Sequence, residues 1–532
     1  MENIGLIVIL LFGVSFLAIL SKRLRFQFPI ALVICGLVIS LIPGLPVISL
    51  RPDIVFLIFL PPLLFSAAWN TSWNHFKANK RPITLAAVGL VLFTTVIVAV
   101  FAHEFIPGMS WPLGFLLGAI VSPPDAVAAT SITKGLGLHP RVVSILEGES
   151  LVNDASSLIA YKYAIIVVMV GNFVLWRAGM SFVVVAGGGI VVGLGFGYVM
   201  YLVQKHFICE PIMEVTLTFL TAFAAYLIAE YFHFSGVLAV VSSGLFLSYY
   251  SVSIFSNEGR IMIYAVWDFV EFILNGLIFI LIGLQLRDVM AGISNYSMGE
   301  LLFYGLLISV VVIVVRFVFL IPAAMLPRIL SRRIKEQESF DFRNLIIIGW
   351  SGMRGMVSMA AALALPLTLA DGTDFPLRNL IIFLTFCVIL STLVLLGLTL
   401  PWIIRKLRLE PHSVVAEEYE VRMSVVTDTI QYIEEHLSTL QDQLLRDIKN
   451  KYEIKYSRLQ KTDLPANYFG EDHVPDDTAN IFNEFSKLQI DVIAVERGIL
   501  EKLHKQGKAT EAILRKMERE LDLEETRLQM EL

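Results

Sequence analysis

The residues in this chain that could do chemistry are carboxylates standing inside long apolar runs. One run contains Glu147-Gly148-Glu149-Ser150-Leu151-Val152-Asn153-Asp154. On a helix, Ser150 and Asp154 are four residues apart and share a face, and Asn153 flanks it. A carboxylate, an amide and a hydroxyl on adjoining faces make a hard oxygen site suited to a small cation or a proton. The alternative is a satisfied polar cluster that ties helices together. Asp154 lies far from any loop and has no basic residue one turn away, so it is expected to handle ions directly. Glu149 reads equally as a ligand or as an ion-pair partner.

Two further places have the same character. Val121-Ser122-Pro123-Pro124-Asp125 puts two prolines inside an apolar run. Each removes a backbone donor and clashes with the preceding turn, so the helix should break there, freeing carbonyls that could hold a cation. Asp125 at the break either handles the ion or caps the helical half that follows. Gly349-Trp350-Ser351-Gly352-Met353-Arg354-Gly355 has three glycines in seven residues, which weakens a helix and permits close backbone approach. Arg354 there needs an anion, and Glu149 or Glu147 is the expected partner. Lys162, two turns beyond Asp154, either sets the local field or pairs with another run. Glu271 and Asn275 are four residues apart, and these and Arg316 read first as interhelical ties.

The elements that carry these residues follow from composition. Only 16% of the residues are charged and the mean hydropathy is +0.73, against about 25% charged in soluble domains. Residues 405–532 hold 19 of the 41 Lys and Arg and 26 of the 46 Asp and Glu, so an acidic polar tail follows a lipid-soluble body of residues 1–404. Thirteen apolar runs in that body are long enough to span a bilayer. They include 47–69 (the third), 112–131 (fifth), 141–170 (sixth), 261–286 (tenth), 299–327 (eleventh) and 343–370 (twelfth). With the N-terminus outside, the loops place seventeen basic residues inside against Arg51, Arg177, Arg287 and Arg378 outside. That bias predicts a cytoplasmic tail. Glu2 opens the chain and Lys22, Arg23 and Arg25 follow the first apolar run, so this run is expected to be a retained span. The three cysteines and nine histidines have no metal-like or redox spacing.

The fold class expected is an all-α polytopic membrane protein of about thirteen spans. Breaks in spans five and twelve, seven apart, point to an inverted repeat of six, one and six, with the breaks crossing at the midplane. Residues 411–462 and 478–530 read as two long amphipathic helices of the tail, joined by a turn over 463–477 that contains Pro465, Gly470 and Pro475. The tail could be a coiled coil and could serve regulation or dimerisation; its partner is open. It carries no phosphate loop or dinucleotide fingerprint.

Gly148-Glu149-Ser150-Leu151-Val152-Asn153-Asp154-Ala155 resembles the Asn-Asp signature of the monovalent cation:proton antiporter-1 family, the sodium/proton exchangers, in its prokaryotic branch. Gly352-Met353-Arg354-Gly355, Asp125-Ala126-Val127-Ala128 and Pro61-Pro62-Leu63-Leu64-Phe65 resemble three more of its elements. The resemblance covers residues 1–404. It implies that Asp154 binds cation and proton in turn, Asn153 organises the site, Ser150 supplies an oxygen and Glu149 pairs with Arg354. It also implies electroneutral exchange, since one aspartate follows the amide, and a homodimer in the cell membrane. Two departures stand out: Pro124-Asp125-Ala126 replaces a Thr-Asp-Pro pattern, and Ser66 stands where many prokaryotic members have a glutamate.

The expectation is therefore a secondary antiporter, not an enzyme. It would exchange sodium, or alternatively potassium or lithium, for protons in pH and cation homeostasis. No cofactor and no nucleic acid are expected; membrane lipid and a second copy are. A channel would need rings of carbonyls or charges that are not seen here. The competing reading is a transporter-like sensor that signals through its tail.

Overall fold

The computed structural model describes residues 2–24, 28–40, 52–71, 73–125, 129, 138, 140–170, 175–207, 210–293, 296–330, 342–369, 372–407, 414–436, 452, 478–506, 509 and 511–531. These divide into two compact units. One comprises Met1–Cys209, Met213–Ile254 and Ile263–Glu410; the other comprises Glu210–Ile212, Phe255–Met262 and Pro411–Leu532.

The first unit is built of helices, two of which, starting at Pro211 and Asn257, begin with residues of the second. In chain order they are α1 (Glu2–Leu24), α2 (Phe28–Ser40), α3 (Pro52–Asn70), α4 (Trp73–Ala78), α5 (Lys80–Phe105), α6 (Trp111–Val121), α7 (Pro140–Val170), α8 (Leu175–Phe207), α9 (Pro211–Tyr231), α10 (Gly236–Tyr249) and α11 (Ser251–Ile254). There follow α12 (Asn257–Ala291), α13 (Met298–Leu330), α14 (Phe342–Trp350), α15 (Met356–Leu363) and α16 (Arg378–Lys406). Among the described residues, seven helices are long and apolar enough to cross a membrane, and five shorter apolar helices accompany them. Residues such as Phe12, Val183, Val191 and Leu306 are exposed on the helix surfaces. That is expected where the surroundings are acyl chains, because lipid imposes no penalty on exposed apolar side chains.

Small residues set the closest helix crossings. On α8, Gly189 and Gly193 lie one turn apart against Ser235 and Ala239 of α10, where any Cβ would collide with the facing carbonyl oxygens. On α6, Gly118 meets Thr95 of α5 in the same way. These are the close small-residue contacts that hold helices together where burial of apolar surface gives no net drive. The helix α3 runs through Pro61 and Pro62 without ending.

Both expected breaks are present. The helix α6 stops at Val121, and residues 122–125 are non-helical. The helix α14 stops at Trp350 and α15 starts at Met356, leaving 351–355 outside regular helix. The helical half expected after Asp125 falls on residues 126–128 and 130–137, outside the described residues.

In the second unit, α17 (Val414–His436) packs on α18 (Thr478–Lys505), which packs on α19 (Glu511–Glu531). Val421, Val425, Leu500, Leu503, Ile513 and Met517 form one buried cluster; Ile493, Leu521 and Leu528 form another. Leu503 thus meets the start of α19 and Ile493 its end, the arrangement of an antiparallel hairpin. This corrects the single helix expected over 478–530. The sequence there reads Gln506-Gly507-Lys508, and glycine costs a helix about 1 kcal/mol relative to alanine. The expected turn over 463–477 lies outside the described residues. Arg260, at the start of α12 and within this unit, is buried; its Nε donates to Asp522 Oδ2 at 3.0 Å and its Nη1 to the Phe255 carbonyl at 2.8 Å. Arg497 donates to the same Asp522 at 2.7 Å.

Candidate functional site

The two breaks meet. The backbone N–H of Asp125 donates to the carbonyl of Met353 at 2.7 Å, a main-chain bond from one break to the other. Asp125 also lies so close to Gly355 that a Cβ there would overlap its Oδ2. Gly355 immediately precedes the first turn of α15, so the Asp125 carboxylate sits beside the positive end of that helix. Gly352 is restricted for a different reason: a Cβ would strike the Arg316 side chain.

Arg354 is fully buried at the crossing. Its Nε donates to the carbonyl of Val121 at 2.6 Å and its Nη1 to that of Gly352 at 2.9 Å. Its backbone N–H donates to Thr392 Oγ1 of α16 at 3.0 Å. The Val121 carbonyl belongs to the negative end of α6, where a guanidinium is favoured, and that of Gly352 to the loop just after α14. Carbonyls freed by the breaks are therefore taken by the protein's own cation.

The expected Glu149–Arg354 ion pair is replaced by another. Glu149 is held by Arg316 of α13 through two parallel bonds, Nη1 to Oε1 at 2.6 Å and Nη2 to Oε2 at 2.9 Å. Arg316 Nε and Nη2 also donate to the Ile348 carbonyl at 3.2 and 3.0 Å. Glu149 is 1% exposed and Arg316 2%. The planar fork of arginine matches a carboxylate in this two-bond geometry. It joins α7 to α13 and to the last turn of α14, one face away from Asp154. Arg316 was visible in the sequence only as one charge among several in apolar runs. Thr392 and Ser358, lone hydroxyls in apolar helices, gave no signal.

Asp154 lies four residues after Ser150 on α7, as the spacing requires. It is 9% exposed, and among the described residues no hydrogen bond or ion pair reaches its carboxylate. It lines a cavity of about 230 Å³ together with Asp125, Glu147, Ser150, Glu271 and Ser358. Among the described residues, no Lys, Arg or His lines this cavity. A liquid water occupies roughly 30 Å³, so the space suits an ion with a few waters. Asn153 is not among the cavity-lining residues: its Nδ2 donates to the Pro124 carbonyl at 3.4 Å, tying α7 to the first break, while its Oδ1 is buried and, among the described residues, accepts no bond. Lys162 is not at the site. It pairs with Glu230 of α9 at 2.6 Å, with both side chains partly exposed. Ser66 Oγ on α3 donates to Glu271 Oε2 on α12 at 2.8 Å. Among the described residues, no three His, Cys, Asp or Glu side chains converge as a chelating cluster.

Comparison with known proteins agrees with this geometry. The sequence profile of the sodium/hydrogen exchanger transmembrane family matches residues 7–406. An uncharacterised Na+/H+ exchanger of Mycobacterium tuberculosis is 31% identical over 535 aligned positions, covering 98% of this chain and 96% of its own. A sodium, potassium, lithium and rubidium/H+ antiporter of Bacillus pumilus is 34% identical over 389 positions, covering 71% of this chain and 58% of its own. Among solved structures, the sodium proton antiporter MjNhaP1 of Methanocaldococcus jannaschii aligns with a TM-score of 0.61 at 19% identity, covering 76% of this chain and 99% of its own, which shows a shared fold. With two crossed helix breaks, an acidic cavity between them and these relatives, this chain is a multi-pass membrane transporter that belongs to the sodium/hydrogen exchanger family.

Proposed function

We propose that this protein exchanges a monovalent cation for protons, with Asp154 holding each in turn. The observation that carries the reading is the small cavity at the crossed breaks: among the described residues it is lined by Asp154 and three other carboxylates and by no basic side chain. Such a lining attracts cations, and a carboxylate without a protein partner can accept either a proton or a metal ion, but not both at once. Sodium is the first candidate cargo and potassium the second; the name of the Bacillus pumilus relative includes both. Ser150 and Asp125 supply oxygens beside Asp154, and Asn153 fixes α7 to the break.

The finer features belong to the same proposal. Exchange is electroneutral, one cation per proton, because a single aspartate follows Asn153. The membrane body has thirteen spans in an inverted repeat, with the N-terminus outside and the tail in the cytoplasm. The protein works as a homodimer in the cell membrane and serves pH and cation homeostasis. The tail, residues 405–532, regulates exchange or supports the dimer.

The test is cation-driven proton movement in vesicles containing the purified protein, with sodium, lithium and potassium added separately. Asp154→Asn keeps the shape and removes the titrating group. It is expected to abolish exchange while inserting and folding normally; exchange retained in that variant would remove Asp154 from its role.

A further inference from the structure

Leu158 and Lys162 follow Asp154 by four and eight residues, so all three share one face of α7, which climbs about 6 Å at each step. Three cavities lie along that face. The first is the acidic one, which takes residues from Glu147 to Asp154 on α7 and Leu63 and Leu64 on α3. The second, of about 30 Å³, is lined by Leu60, Leu158, Tyr226, Lys162 and Glu230 among others, and is large enough for a water. Leu60 and Leu158 are buried, and each lies one turn beyond a residue of the acidic cavity, Leu64 and Asp154. The third cavity, of about 1010 Å³, takes in Trp111 and Phe115 of α6, Phe182 of α8 and His233. Lys162 and Glu230 line both the second and the third, so their ion pair stands in the wall that these share. The way the pair is held is the second observation. Glu230 Oε1 also accepts the Gly236 N–H at 3.2 Å, which fixes it to the start of α10. Lys162 donates to both Glu230 oxygens at 2.6 Å from α7. The two side chains are 47% and 31% exposed. A partly exposed pair is weak and parts readily, whereas the buried Glu149–Arg316 pair is fixed.

We infer that the Lys162–Glu230 pair is the gate of a second access route to Asp154, leading from the large cavity past Leu158 and Leu60. An exchanger must offer Asp154 to each side of the membrane in turn. This structure places Asp154 in the acidic cavity, at the Pro140 half of α7, and the large cavity lies along the Val170 half. While the pair is joined, the Lys162 ammonium stands across the route and the two leucines fill the turn beneath it. The pair links α7, which carries Asp154, to α9, which among the described residues gives nothing to the acidic cavity. A shift of α7 against α9 parts them. Lys162 then moves with α7, and Glu230, held by the start of α10, stays behind as a carboxylate that attracts the incoming cation.

The inference rests on the exchange activity proposed above, and its test separates the two. Leu158→Cys places a thiol behind the pair, in a full-length parent whose Cys35, Cys209 and Cys387 are replaced by alanine. The protein is reconstituted in vesicles, and a membrane-impermeant, positively charged thiol reagent is applied to one face at a time. Glu230→Gln and Lys162→Met, each added to this parent, should speed labelling about three- to fivefold, the factor by which losing a partly exposed pair shifts an opening equilibrium. The increase should come from the face on which α6 begins, with labelling from the other face unchanged. The reversed pair, Lys162→Glu with Glu230→Lys, restores the contact and should return the rate to that of the parent. Labelling that is unchanged, that rises from the other face or from both, or that the reversed pair fails to restore would mark Lys162 and Glu230 as a tie between helices. Any of these overturns the inference and leaves the exchange reading standing. An unsubstituted protein that moves no protons with sodium, lithium or potassium overturns the exchange reading and the gate with it.

Discussion

The exchange of partners around Glu149 gives the sharpest energetic prediction. Glu149 and Arg316 are joined by two bonds of 2.6 and 2.9 Å and are nearly inaccessible, whereas Arg354 donates through Nε and Nη1 to backbone carbonyls. Removing one member of a buried pair leaves the other charged and unpaired, which costs about 3–5 kcal/mol, while removing both costs far less. Arg316→Met and Glu149→Gln should each destabilise by that amount, and the double variant should recover about 2–4 kcal/mol of the sum. Arg354→Met paired with Glu149→Gln should show little coupling. Unfolding entropy is about 2.1 cal/mol/K per residue, or about 0.8 kcal/mol/K for a unit of about 400 residues. The single variants should therefore lower the melting midpoint by about 4–6 °C. This is a lower bound, since helices in lipid keep their backbone bonds on unfolding and the entropy change is smaller. The assay is thermal denaturation of the detergent-purified protein for each single and double variant. Coupling of Glu149 to Arg354 equal to or larger than its coupling to Arg316 would refute the assignment.

Two further predictions address the crossing and the tail. Gly355→Ala places a methyl group on the Asp125 carboxylate; overpacking of this kind costs about 1–3 kcal/mol, and the displaced carboxylate should lower the exchange rate more than tenfold, measured by vesicle proton movement beside a melting curve. In the tail, burial pushes Glu418 up, but hydrogen bonds from Lys516 and Arg422 outweigh it and hold the carboxyl below its usual value. A depressed folded value means that the stabilisation is complete above the unfolded value, near 4.3, and is lost as pH falls through the folded one. The protection factors of α17 amides in the full-length protein, taken against the intrinsic exchange rate at each pH, should therefore fall as pH drops below about 4.5, and Glu418→Gln should already show lower protection at neutral pH and respond less to acid.

What could be read from the sequence was whatever local chemistry dictates. Pro123 and Pro124 each remove a backbone donor, and Gly349, Gly352 and Gly355 weaken a helix, so both breaks are legible, although the same proline pair at Pro61 and Pro62 leaves α3 continuous. The shared face of Ser150 and Asp154 follows from helical spacing alone. Partner choice was not legible. Arg354 and Arg316 are both arginines in apolar runs, and which one reaches Glu149 depends on how α13 and α14 pack against α7. The family signature points to Arg354, yet two of its guanidinium nitrogens bond the carbonyls that the breaks expose and none reaches Glu149. The split in the second tail helix was missed for the opposite reason: Gly507 was there to be read, but the charged, leucine-containing pattern on both sides of it masked the interruption.

These two outcomes are linked by one physical requirement. Breaking a helix in lipid frees carbonyls that need donors, and breaking two helices where they cross concentrates that need in one place. Arg354 meets it with a single side chain, bonding the end of one half-helix at Val121 and the loop after the other at Gly352. Its Nε and Nη1 are committed there while its Nη2 remains buried and, among the described residues, without a hydrogen-bond partner, and Glu149 takes its cation from another helix. The same bonding keeps Arg354 out of the cavity lining that Asp154 belongs to. A guanidinium aimed into the cavity would compete with the transported ion for every carboxylate there. Placed behind the crossing and bonded to backbone, it stabilises the broken helices and leaves the acidic lining to the cargo. On this argument a substitution that frees Arg354 from its carbonyls should inhibit exchange even if every cavity residue stays intact. Thr392→Val, which removes the hydroxyl holding the Arg354 backbone N–H at 3.0 Å, is the mildest way to loosen that anchorage.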